Sequence, residues 1–413
     1  MHILLIHQAF AALDEPGGTR HDEFARCLAA RGHLVTIITS KVSYLTGAPL
    51  PLPQFSEKMG ADKERGRVMV IRAYTCHALH KSFVHRVFSF VSFMASSFFI
   101  GLGVRNVDVV WGTSPPIFQG FTAWLLARLK RLPFLFEVRD LWPQFAIAVG
   151  VLRNPLLIKL SLWLERFLYR RADQVIVNSP GYVSHVRERG ARFVDLVPNG
   201  ADPHMFDPAD DGHAFRSANG IKDNFVVLYA GAHGMSNDLG VVLESACLLA
   251  GSRPEVRIVF LGDGKEKAAL QEQAARLGLA NVLFLPPVPK TGMAAALAGA
   301  DACLAILKPL DEYKTTFPNK VFDYMAAGRP VVLAIDGVIR QVVEAAGCGV
   351  FAQPGDPAAL AAVIQTLAAD PGRSRKMGLS GREYLEEHFS RDKIAQKLMG
   401  VLYEMVRLKR NTV

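Results

Sequence analysis

Residues 256–264, VRIVFLGDG, place an apolar strand directly before a glycine turn, and residues 281–288 (NVLFLPPV) and 299–306 (GADACLAI) repeat the strand after intervening helical stretches. Two more strand-like runs complete this half of the chain, FVVLYAG at 225–231 and RPVVLA at 329–334. Short apolar strands alternating with helices are typical of a parallel sheet covered on both faces. The second half is therefore predicted to be an α/β domain.

The first half repeats this alternation. Its strand-like runs are HILLI (2–6), LVTIIT (34–39), DVVWG (108–112), PFLFEV (133–138), QVIVN (174–178) and FVDLVP (193–198). A loop rich in Asp, Pro and Gly at 198–215 separates the two halves, and 413 residues suit two or three domains. We predict one α/β domain over 1–203, a second over 204–385, and a final helical segment over 386–413 whose apolar spacing needs a groove.

Charge is distributed unevenly along the chain. Residues 1–205 carry 24 Lys and Arg against 15 Asp and Glu, so the whole net charge of +9 lies in the first half. Half of the residues are apolar and 21% are charged, which indicates a globular protein. The basic half indicates an anionic partner, lipid headgroups or nucleic acid, although a solvated basic face gives the same count.

The cysteines show no metal or disulfide pattern. No CxxC pair occurs, and the residues are scattered, at Cys27, Cys76, Cys247, Cys303 and Cys348. Reduced thiols and a cytoplasmic location are therefore expected. The N-terminus, MHILLIHQ, lacks the basic and long apolar regions of a signal peptide and is predicted to be a first strand.

Residues 87–104 contain no charge over 18 positions and are rich in Phe, so a transmembrane helix must be considered. We predict that it does not span a membrane, because His85, Ser89, Ser92 and Ser96 form a polar stripe and a span would divide one sheet. A core helix and an interfacial helix both remain open. For the interfacial case the predicted membrane contacts are Phe83, Arg86, Phe90, Phe98 and Phe99.

A glycine pair follows the first strand, in Pro16-Gly17-Gly18-Thr19-Arg20, where a helix begins. Paired glycines let backbone N–H groups approach an anion at a helix N-terminus, although a simple turn also explains Gly17. The motif is not GxGxxG, and the second strand ends without an acidic residue for a ribose. Both facts argue against a dinucleotide dehydrogenase.

Further motifs occur in a fixed order: VPNGAD (197–202), LGDG (261–264), DYMAAGRPVV (323–332) and EEHFSRDKIAQKL (386–398). With the glycine loop, they resemble glycosyltransferase family 4, the retaining GT-B enzymes, over nearly the whole chain. DLWP (140–143) and PNK (318–320) are similar to the subgroup that builds O-antigen and capsule repeat units, including fucosamine-type transferases.

The resemblance implies an α/β fold of the GT-B type: two Rossmann-like, doubly wound domains facing a cleft, the first binding acceptor and the second nucleotide sugar. The last helix would cross back to the first domain. It implies transfer of a sugar, with an N-acetylated amino or deoxy sugar preferred, from a UDP-sugar to a polyprenyl-diphosphate-linked saccharide. The enzyme would work without metal or other cofactor, as a peripheral protein on an anionic membrane surface at the inner face of the bacterial plasma membrane, and would bind no nucleic acid.

The resemblance also assigns donor residues, one at a time. The family's paired glutamates fall on Thr315, which cannot supply a charge, and Asp323, which would bind the ribose. The usual Arg and Lys after the first strand of the second domain are missing, so Lys320 is the predicted replacement on the diphosphate. The remaining predicted contacts are Gly17, Gly18, His233 and Asn319 to the diphosphate, Thr315, Thr316, Phe317 and Pro318 to the donor sugar, and Gly262, Pro286, Pro287 and Val288 to the base.

The family's His-Asp pair in the first domain falls on Arg139 and Asp140, the predicted catalytic residues. An Arg stabilises a departing phosphate, whereas Asp140 would orient or deprotonate the acceptor hydroxyl. The alternative is that Asp140 caps the turn that follows, and Glu137 is interpreted as structural. Two other functions stay open: a GT-B sugar-nucleotide epimerase, and a non-catalytic membrane-binding relative.

Overall fold

The computed structural model describes residues 1–43, 47, 49–50, 55–59, 66–77 and 83–411, with residues 55–59, 83, 84 and 86 described by their backbone alone. The chain divides into two compact units. The first comprises Met1–Ala12, Gly17–Pro198 and Asp392–Val413, and the second comprises Leu13–Pro16 and Asn199–Arg391.

The first unit is built on an eight-stranded sheet with the order β3-β4-β2-β1-β5-β6-β7-β8. All described pairings are parallel except that of β3 with β4. The strands are β1 (His2–Ile6), β2 (Leu34–Ser40), β3 (Phe55–Met59), β4 (Arg67–Ala73), β5 (Val109–Ser114), β6 (Phe134–Val138), β7 (Gln174–Val177) and β8 (Val194–Leu196). The central strands β1, β5 and β6 are buried along their whole length, which is why their sequences are continuous apolar runs.

The connecting helices of this unit cover the sheet. They are α1 (Arg20–Ala30), α2 (Phe83–Gly103), α3 (Phe118–Lys130), α4 (Gln144–Ala148), α5 (Pro155–Arg171) and α6 (Val183–Glu188). Helix α3 lies between α2 and α5: a Cβ on Gly101 would lie 2.6 Å from Leu126 Cδ1, and the rings of Trp124 and Phe167 are 4.7 Å apart. No helix in the described part of the chain has both the length and the apolar character needed to cross a bilayer.

Helix α2 uses two serines of its polar stripe to bind the preceding backbone and exposes an apolar stripe beside them. The Ser96 hydroxyl donates to the Tyr74 carbonyl at 2.6 Å, and Ser92 Oγ accepts from the Cys76 amide at 2.9 Å. Next to these serines on the helix surface, Phe88 and Phe99 are 62% and 71% exposed. The serines satisfy backbone groups of the preceding segment, so the surface of this helix is left to its apolar residues.

The second unit contains a six-stranded sheet, all parallel, with the order β11-β10-β9-β12-β13-β14. Its strands are β9 (Phe225–Ala230), β10 (Val256–Leu261), β11 (Val282–Leu285), β12 (Ala302–Ile306), β13 (Val331–Ala334) and β14 (Gly349–Phe351). Its helices are α7 (His213–Ala218), α8 (Leu239–Ser252), α9 (Lys267–Arg276), α10 (Lys290–Ala298), α11 (Asn319–Ala326), α12 (Val338–Ala345), α13 (Pro357–Ala369) and α14 (Pro371–His388). The predicted α/β class with two doubly wound sheets is confirmed.

The last helix, α15 (Arg391–Arg410), packs in the first unit from Asp392 onward. Its buried residues include Ile394, Leu398 and Leu402, and Tyr403 Oη lies 3.0 Å from His33 Nε2. The amphipathic spacing therefore finds the apolar groove that it requires.

Both sheets have a switch point where neighbouring strands continue in opposite directions across the sheet. It lies between β1 and β5 in the first unit and between β9 and β12 in the second. Loops at the carboxyl ends of the strands diverge at such a point and leave a crevice for ligands.

Candidate active site

A cluster of polar residues lies at the carboxyl ends of β1, β5 and β6 in the first unit. Arg139 donates from Nε to the Ser114 carbonyl at 2.9 Å, and from Nη2 to the Pro115 carbonyl and to His7 Nε2, both at 3.0 Å. Burial, followed by the nearby His21 and Arg139, lowers the pKa of His7 well below its usual value, so its imidazole is neutral. Because Arg139 can only donate, the His7 proton is placed on Nδ1.

Asp140 lies beside this cluster with one carboxylate oxygen available. Its Oδ1 is buried and has no hydrogen-bond partner in the described part of the chain. Burial raises the pKa of Asp140 to about 6, an effect that Arg139 and a backbone hydrogen bond from Trp142 partly oppose. Helix α4 begins at Gln144 without a side-chain cap, and Asp140 instead accepts from the Trp142 backbone in the turn before this helix, which is compatible with the turn-capping role considered from the sequence. A carboxyl group with this pKa and an unpartnered oxygen suits general base chemistry.

Glu137 anchors the helix that follows the glycine pair. It accepts from Arg20 Nε at 2.9 Å and from His21 Nε2 at 2.5 Å, and Arg20 also donates to the Val197 and Pro198 carbonyls at 2.6 Å each. Burial alone would raise the pKa of Glu137, but the adjacent His21 and Arg20 outweigh it and lower the pKa. The resulting buried carboxylate holds α1 in a fixed position relative to β6.

The two glycines before α1 have different roles. Gly17 has a φ of +147°, and a Cβ there would lie 2.8 Å from the Ala11 Cβ, so the turn requires glycine. A Cβ on Gly18 would meet nothing within 4 Å, so its backbone borders open space. The conformation of Gly17 leaves the Gly18 backbone open to approach by an anion.

In the second unit the loops after β9 and β10 contact each other through glycines. A Cβ on Gly262 would lie 1.9 Å from the Gly231 carbonyl oxygen, and one on Gly264 would lie 2.3 Å from the His233 carbonyl oxygen. The His233 amide donates to the Asp263 carbonyl at 2.8 Å. These close contacts fix the main chain of the loop that carries His233.

The His233 ring is fully buried, with neither nitrogen hydrogen-bonded to any described residue. It lies 5.9 Å from the Tyr229 ring and 6.0 Å from the Phe260 ring, measured between centroids. Burial, then the charge of Lys267, lowers the pKa of His233 to about 4. A neutral imidazole donates one hydrogen bond without adding charge, which suits a phosphate oxygen.

Lys320 lies in the first turn of α11, below the Gly231 loop. Its Nζ is 3.9 Å from the centre of the Tyr229 ring, and a Cβ on Gly231 would lie 2.8 Å from it. Burial lowers the pKa of Lys320 to about 7, and the described residues offer it no carboxylate. The side-chain Oδ1 of the neighbouring Asn319 is also buried without a partner. A buried, unpaired ammonium group at a helix N-terminus provides a binding position for an anion.

Asp323 follows Lys320 by three residues, which places both on one side of α11. Its carboxylate forms an ion pair with Lys290 Nζ at the start of α10. Lys290 also lies 5.4 Å from the centre of the Phe206 ring. The carboxylate is therefore neutralised and fixed in position by a lysine from the loop after β11.

The sequence matches a glycosyl transferase 4-like domain over residues 17–200 and the glycosyl transferases group 1 model over residues 224–370. The chain is a GT-B glycosyltransferase. The Escherichia coli (strain K12) protein WcaI, whose name assigns it to colanic acid biosynthesis as a glycosyl transferase, is 26% identical over 91% of this chain and 93% of its own length.

Two solved structures share the fold of this glycosyltransferase. Sucrose-phosphate synthase from Thermosynechococcus elongatus aligns with a TM-score of 0.77 and 22% identity, over 98% of this chain and 99% of that one. Anabaena HepE, solved in complex with UDP-glucose, aligns with a TM-score of 0.71 and 18% identity, over 98% of this chain and 100% of that one. These similarities establish the two-domain GT-B fold.

Some predicted donor-sugar contacts of the glycosyltransferase have other roles. Phe317 is buried in the core against Phe322, with ring centroids 5.6 Å apart, so its side chain packs and does not face a ligand. The hydroxyls of Thr315 and Thr316 donate to the Glu312 and Tyr313 carbonyls of the preceding turn. The prediction was wrong for the Phe317 side chain because an aromatic residue beside a motif serves the core as readily as a ligand.

The predicted base contacts lie on a braced loop. Lys267 Nζ donates to the Gly262 carbonyl at 2.8 Å and to the Leu285 carbonyl at 3.1 Å, which joins the ends of β10 and β11. Pro286 is exposed, whereas Val288 packs on the core. The main chain of this loop is thus fixed directly before Lys290, and the role of Gly262, Pro286, Pro287 and Val288 in binding a base stays a prediction.

The predicted membrane residues of the glycosyltransferase differ in how far their side chains are exposed. Phe90 stacks on Phe118 at 5.2 Å and Phe98 packs on the core, whereas Phe99 is exposed. The side chains of Phe83 and Arg86 lie outside the described residues. The most exposed Phe residues of the helix are Phe88 and Phe99, whereas Phe90 and Phe98 are partly buried, and membrane contact by the predicted residues stays a prediction.

Sequence reasoning did not identify His7, His21 or Lys290 as site residues. His7 directly follows β1, and a polar residue at that end of a central parallel strand was the available signal. Lys290 follows a Pro-rich loop in the sequence PPVPK, where nothing local indicates its pairing with Asp323.

Proposed function

We propose that this glycosyltransferase transfers a sugar from a UDP-sugar to a polyprenyl-diphosphate-linked saccharide, with retention of anomeric configuration, during synthesis of a bacterial surface polysaccharide. The observation that carries the donor assignment is the buried ammonium of Lys320, which has no carboxylate partner among the described residues. WcaI supports the polysaccharide assignment by its name, and the HepE complex supports a UDP-linked donor. An amino or deoxy sugar of the fucosamine type is the proposed donor sugar.

The donor cluster accounts for departure of the nucleotide. As the bond between the anomeric carbon and the β-phosphate oxygen breaks, negative charge grows on the diphosphate. Lys320 and the amides at the start of α11 stabilise that charge, and neutral His233 donates a hydrogen bond. The Asp323 carboxylate, which forms an ion pair with Lys290, accepts hydrogen bonds from the ribose hydroxyls. These groups neutralise the leaving group without a divalent metal, so transfer is expected to continue at an unchanged rate in EDTA.

The cluster of the first unit accounts for activation of the acceptor. The acceptor hydroxyl forms the new glycosidic bond and loses its proton, for which Asp140 Oδ1 is the proposed base or orienting group. The cation of Arg139, positioned by two backbone carbonyls, favours the phosphate-bearing substrate. The main-chain amides at Gly17 and Gly18 remain the predicted contacts to the donor diphosphate.

Thermal unfolding with UDP, GDP, ADP and NAD tests the donor assignment, because a ligand bound only to the folded state raises Tm. We expect a shift with UDP that disappears in Lys320→Met and persists in the control Lys265→Met, an exposed lysine of a neighbouring loop. A shift with NAD alone would contradict the proposal. Conversion of a UDP-sugar without any acceptor would favour the epimerase alternative.

The proposed membrane association rests on the apolar stripe of α2. We expect Phe88→Ser with Phe99→Ser to reduce binding to lipid vesicles without changing Tm. The control pair Leu248→Ser and Leu408→Ser removes equally exposed apolar side chains from other surfaces. Equal loss of binding in both pairs would mean that vesicle binding does not depend on this stripe.

A further inference from the structure

A groove of about 1000 Å³ lies on the first unit, between α5 and the loop at 190–192. Its lining contains none of the residues assigned to donor or acceptor. Five cations line it, Lys159, Arg166, Arg170, Arg171 and Arg192, together with the aromatic rings of Trp163 and Phe167. No Asp or Glu lines the groove.

The sequence of α5 explains this surface. Leu156, Leu160 and Trp163 are spaced at one helical face and are 65%, 52% and 58% exposed. The helix has a single acid, Glu165, which is fully buried and accepts from His185 at 2.9 Å and Arg189 at 2.7 Å. The outward face is therefore apolar and cationic, with its one carboxylate turned into the protein.

The groove cations are not neutralised by the protein. Within the described ranges, none of the five forms an ion pair or hydrogen bond with a carboxylate. The Arg171 guanidinium lies 5.8 Å from the centre of the Phe167 ring, and Trp163 stacks on that ring at 5.4 Å. Like charges that line one groove repel one another, so an anion that enters the groove is stabilised by them.

The loop opposite α5 is shaped to admit an arginine. Gly190 has a φ of +106°, and a Cβ there would lie 2.8 Å from both Cγ and Nε of Arg170. Arg170 therefore extends across the loop through the space that a side chain at position 190 would occupy. The groove and its cations are a consistent local arrangement and not a chance gap.

We propose that this groove binds the phosphate headgroups of anionic phospholipids, with Leu156, Leu160 and Trp163 inserted at the boundary between headgroups and acyl chains. Basic side chains flanking exposed Leu and Trp residues on one helix are what an interfacial helix requires. The apolar side chains disfavour a nucleic acid, which offers no apolar phase for them. The proposal rests on the proposed function only in assuming a membrane-bound acceptor.

The position of α5 supports this choice. Helix α2, with its exposed Phe88 and Phe99, and α5 flank α3 in one helical layer of the first unit. Both outer helices of that layer expose large apolar side chains, and α5 adds the cations. Two apolar elements in one layer suit a planar surface better than a small soluble ligand.

Flotation of the full-length protein with vesicles tests the proposal, comparing phosphatidylglycerol mixed with phosphatidylcholine against phosphatidylcholine alone. Since each basic residue contributes about fivefold to binding at an anionic surface, Arg166→Ala with Arg170→Ala should weaken binding to the anionic vesicles about thirtyfold. The control pair Lys397→Ala and Arg407→Ala, on exposed positions of α15, should change it little. Trp163→Ala should weaken binding to both vesicle types.

Undiminished binding of the Arg166 and Arg170 variant to anionic vesicles overturns the proposal. So does wild-type binding that is equal on both vesicle types, or a groove-dependent affinity for DNA without affinity for vesicles. Inorganic phosphate is added as a competitor of vesicle binding and compared with chloride at the same ionic strength. Equal competition by the two salts supports a lipid surface as the ligand over a free phosphate ion. The rise in Tm with UDP is measured in parallel. If the wild type shows no such rise, the proposed donor is contradicted. If the groove variant keeps the rise while its vesicle binding falls, the substitutions affect lipid binding and not donor binding.

Discussion

At the scale of single residues, the burial of the Lys320 ammonium group opposes the stability of the fold. Its pKa is lowered by burial from 10.5 to about 7, so the unfolded chain binds more protons than the folded one between those values. The free energy of unfolding therefore increases with pH between pH 7 and pH 10.5 as far as Lys320 contributes to it. We expect Lys320→Met to stabilise the protein by about 1 to 2 kcal/mol at pH 7 and to reduce this rise, measured by urea unfolding from pH 7 to pH 9. Lys265→Met, at an exposed position, is the control.

The same residue predicts the pH dependence of donor binding. A diphosphate favours the charged ammonium, so above pH 7 the binding of UDP must take up a proton at Lys320. The Kd for UDP should rise by up to about tenfold per pH unit between pH 7.5 and pH 9, where the phosphate itself no longer titrates. Calorimetry in buffers of different ionisation enthalpy measures the proton directly. A proton uptake unchanged in Lys320→Met would assign it to another group.

Asp140 carries the corresponding prediction for catalysis. Burial raises its pKa to about 6, so a base at this position loses activity as pH falls below 6. We expect Asp140→Asn to lower kcat by about 10²-fold or more and to leave the UDP-dependent shift of Tm unchanged. Release of UDP from the donor in the presence of acceptor measures kcat. A variant that keeps the wild-type rate and its acid limb would exclude Asp140 as the base.

At the scale of secondary structure, the strands could be predicted from the sequence, whereas the exposed face of α2 could not. Runs such as HILLI and FVVLYAG are apolar because the strands are buried on both faces, so the signal is local. In α2 most residues are apolar, and two of its serines, Ser92 and Ser96, bind the preceding backbone. Apolar character alone does not tell which side faces the core.

The two sides of α2 should respond differently to the same substitution. Phe98→Ser removes a ring packed on the core and is expected to lower the free energy of unfolding by about 2 to 4 kcal/mol. Phe99→Ser, one position on, changes an exposed ring and should cost less than about 0.5 kcal/mol. Thermal and urea unfolding of the two variants provide the comparison. Equal losses would place Phe99 in a packed environment and weaken the case for a membrane-facing stripe.

At the scale of the whole molecule, the site residues that sequence reasoning missed are those brought together by topology. His7 and Arg139 are 132 positions apart and meet because β1 and β6 end at the same edge of one sheet. Lys290 begins α10 and Asp323 lies within α11, so their ion pair joins two separate connections of the second sheet. Lys320 could be predicted as a site residue because its motif lies in one continuous segment. Local motifs were therefore accessible from the sequence, whereas partners from distant strands required the strand order.

The division into two units gives a prediction for the intact enzyme. His233, Asn319, Lys320 and Asp323 all lie in the second unit, so a bound UDP should restrict backbone opening mainly there. In hydrogen exchange of the full chain, we expect slower exchange with UDP at 231–236, 262–266 and 318–323. Exchange within β5 and β7, which belong to the first unit, should change little because those strands are buried without the ligand. In Lys320→Met the protection should disappear, since the change removes the cation and leaves the fold. Protection from exchange that is confined to the first unit would instead place the nucleotide at the glycine pair, Gly17 and Gly18, and the assignment of the donor to the second unit would be wrong.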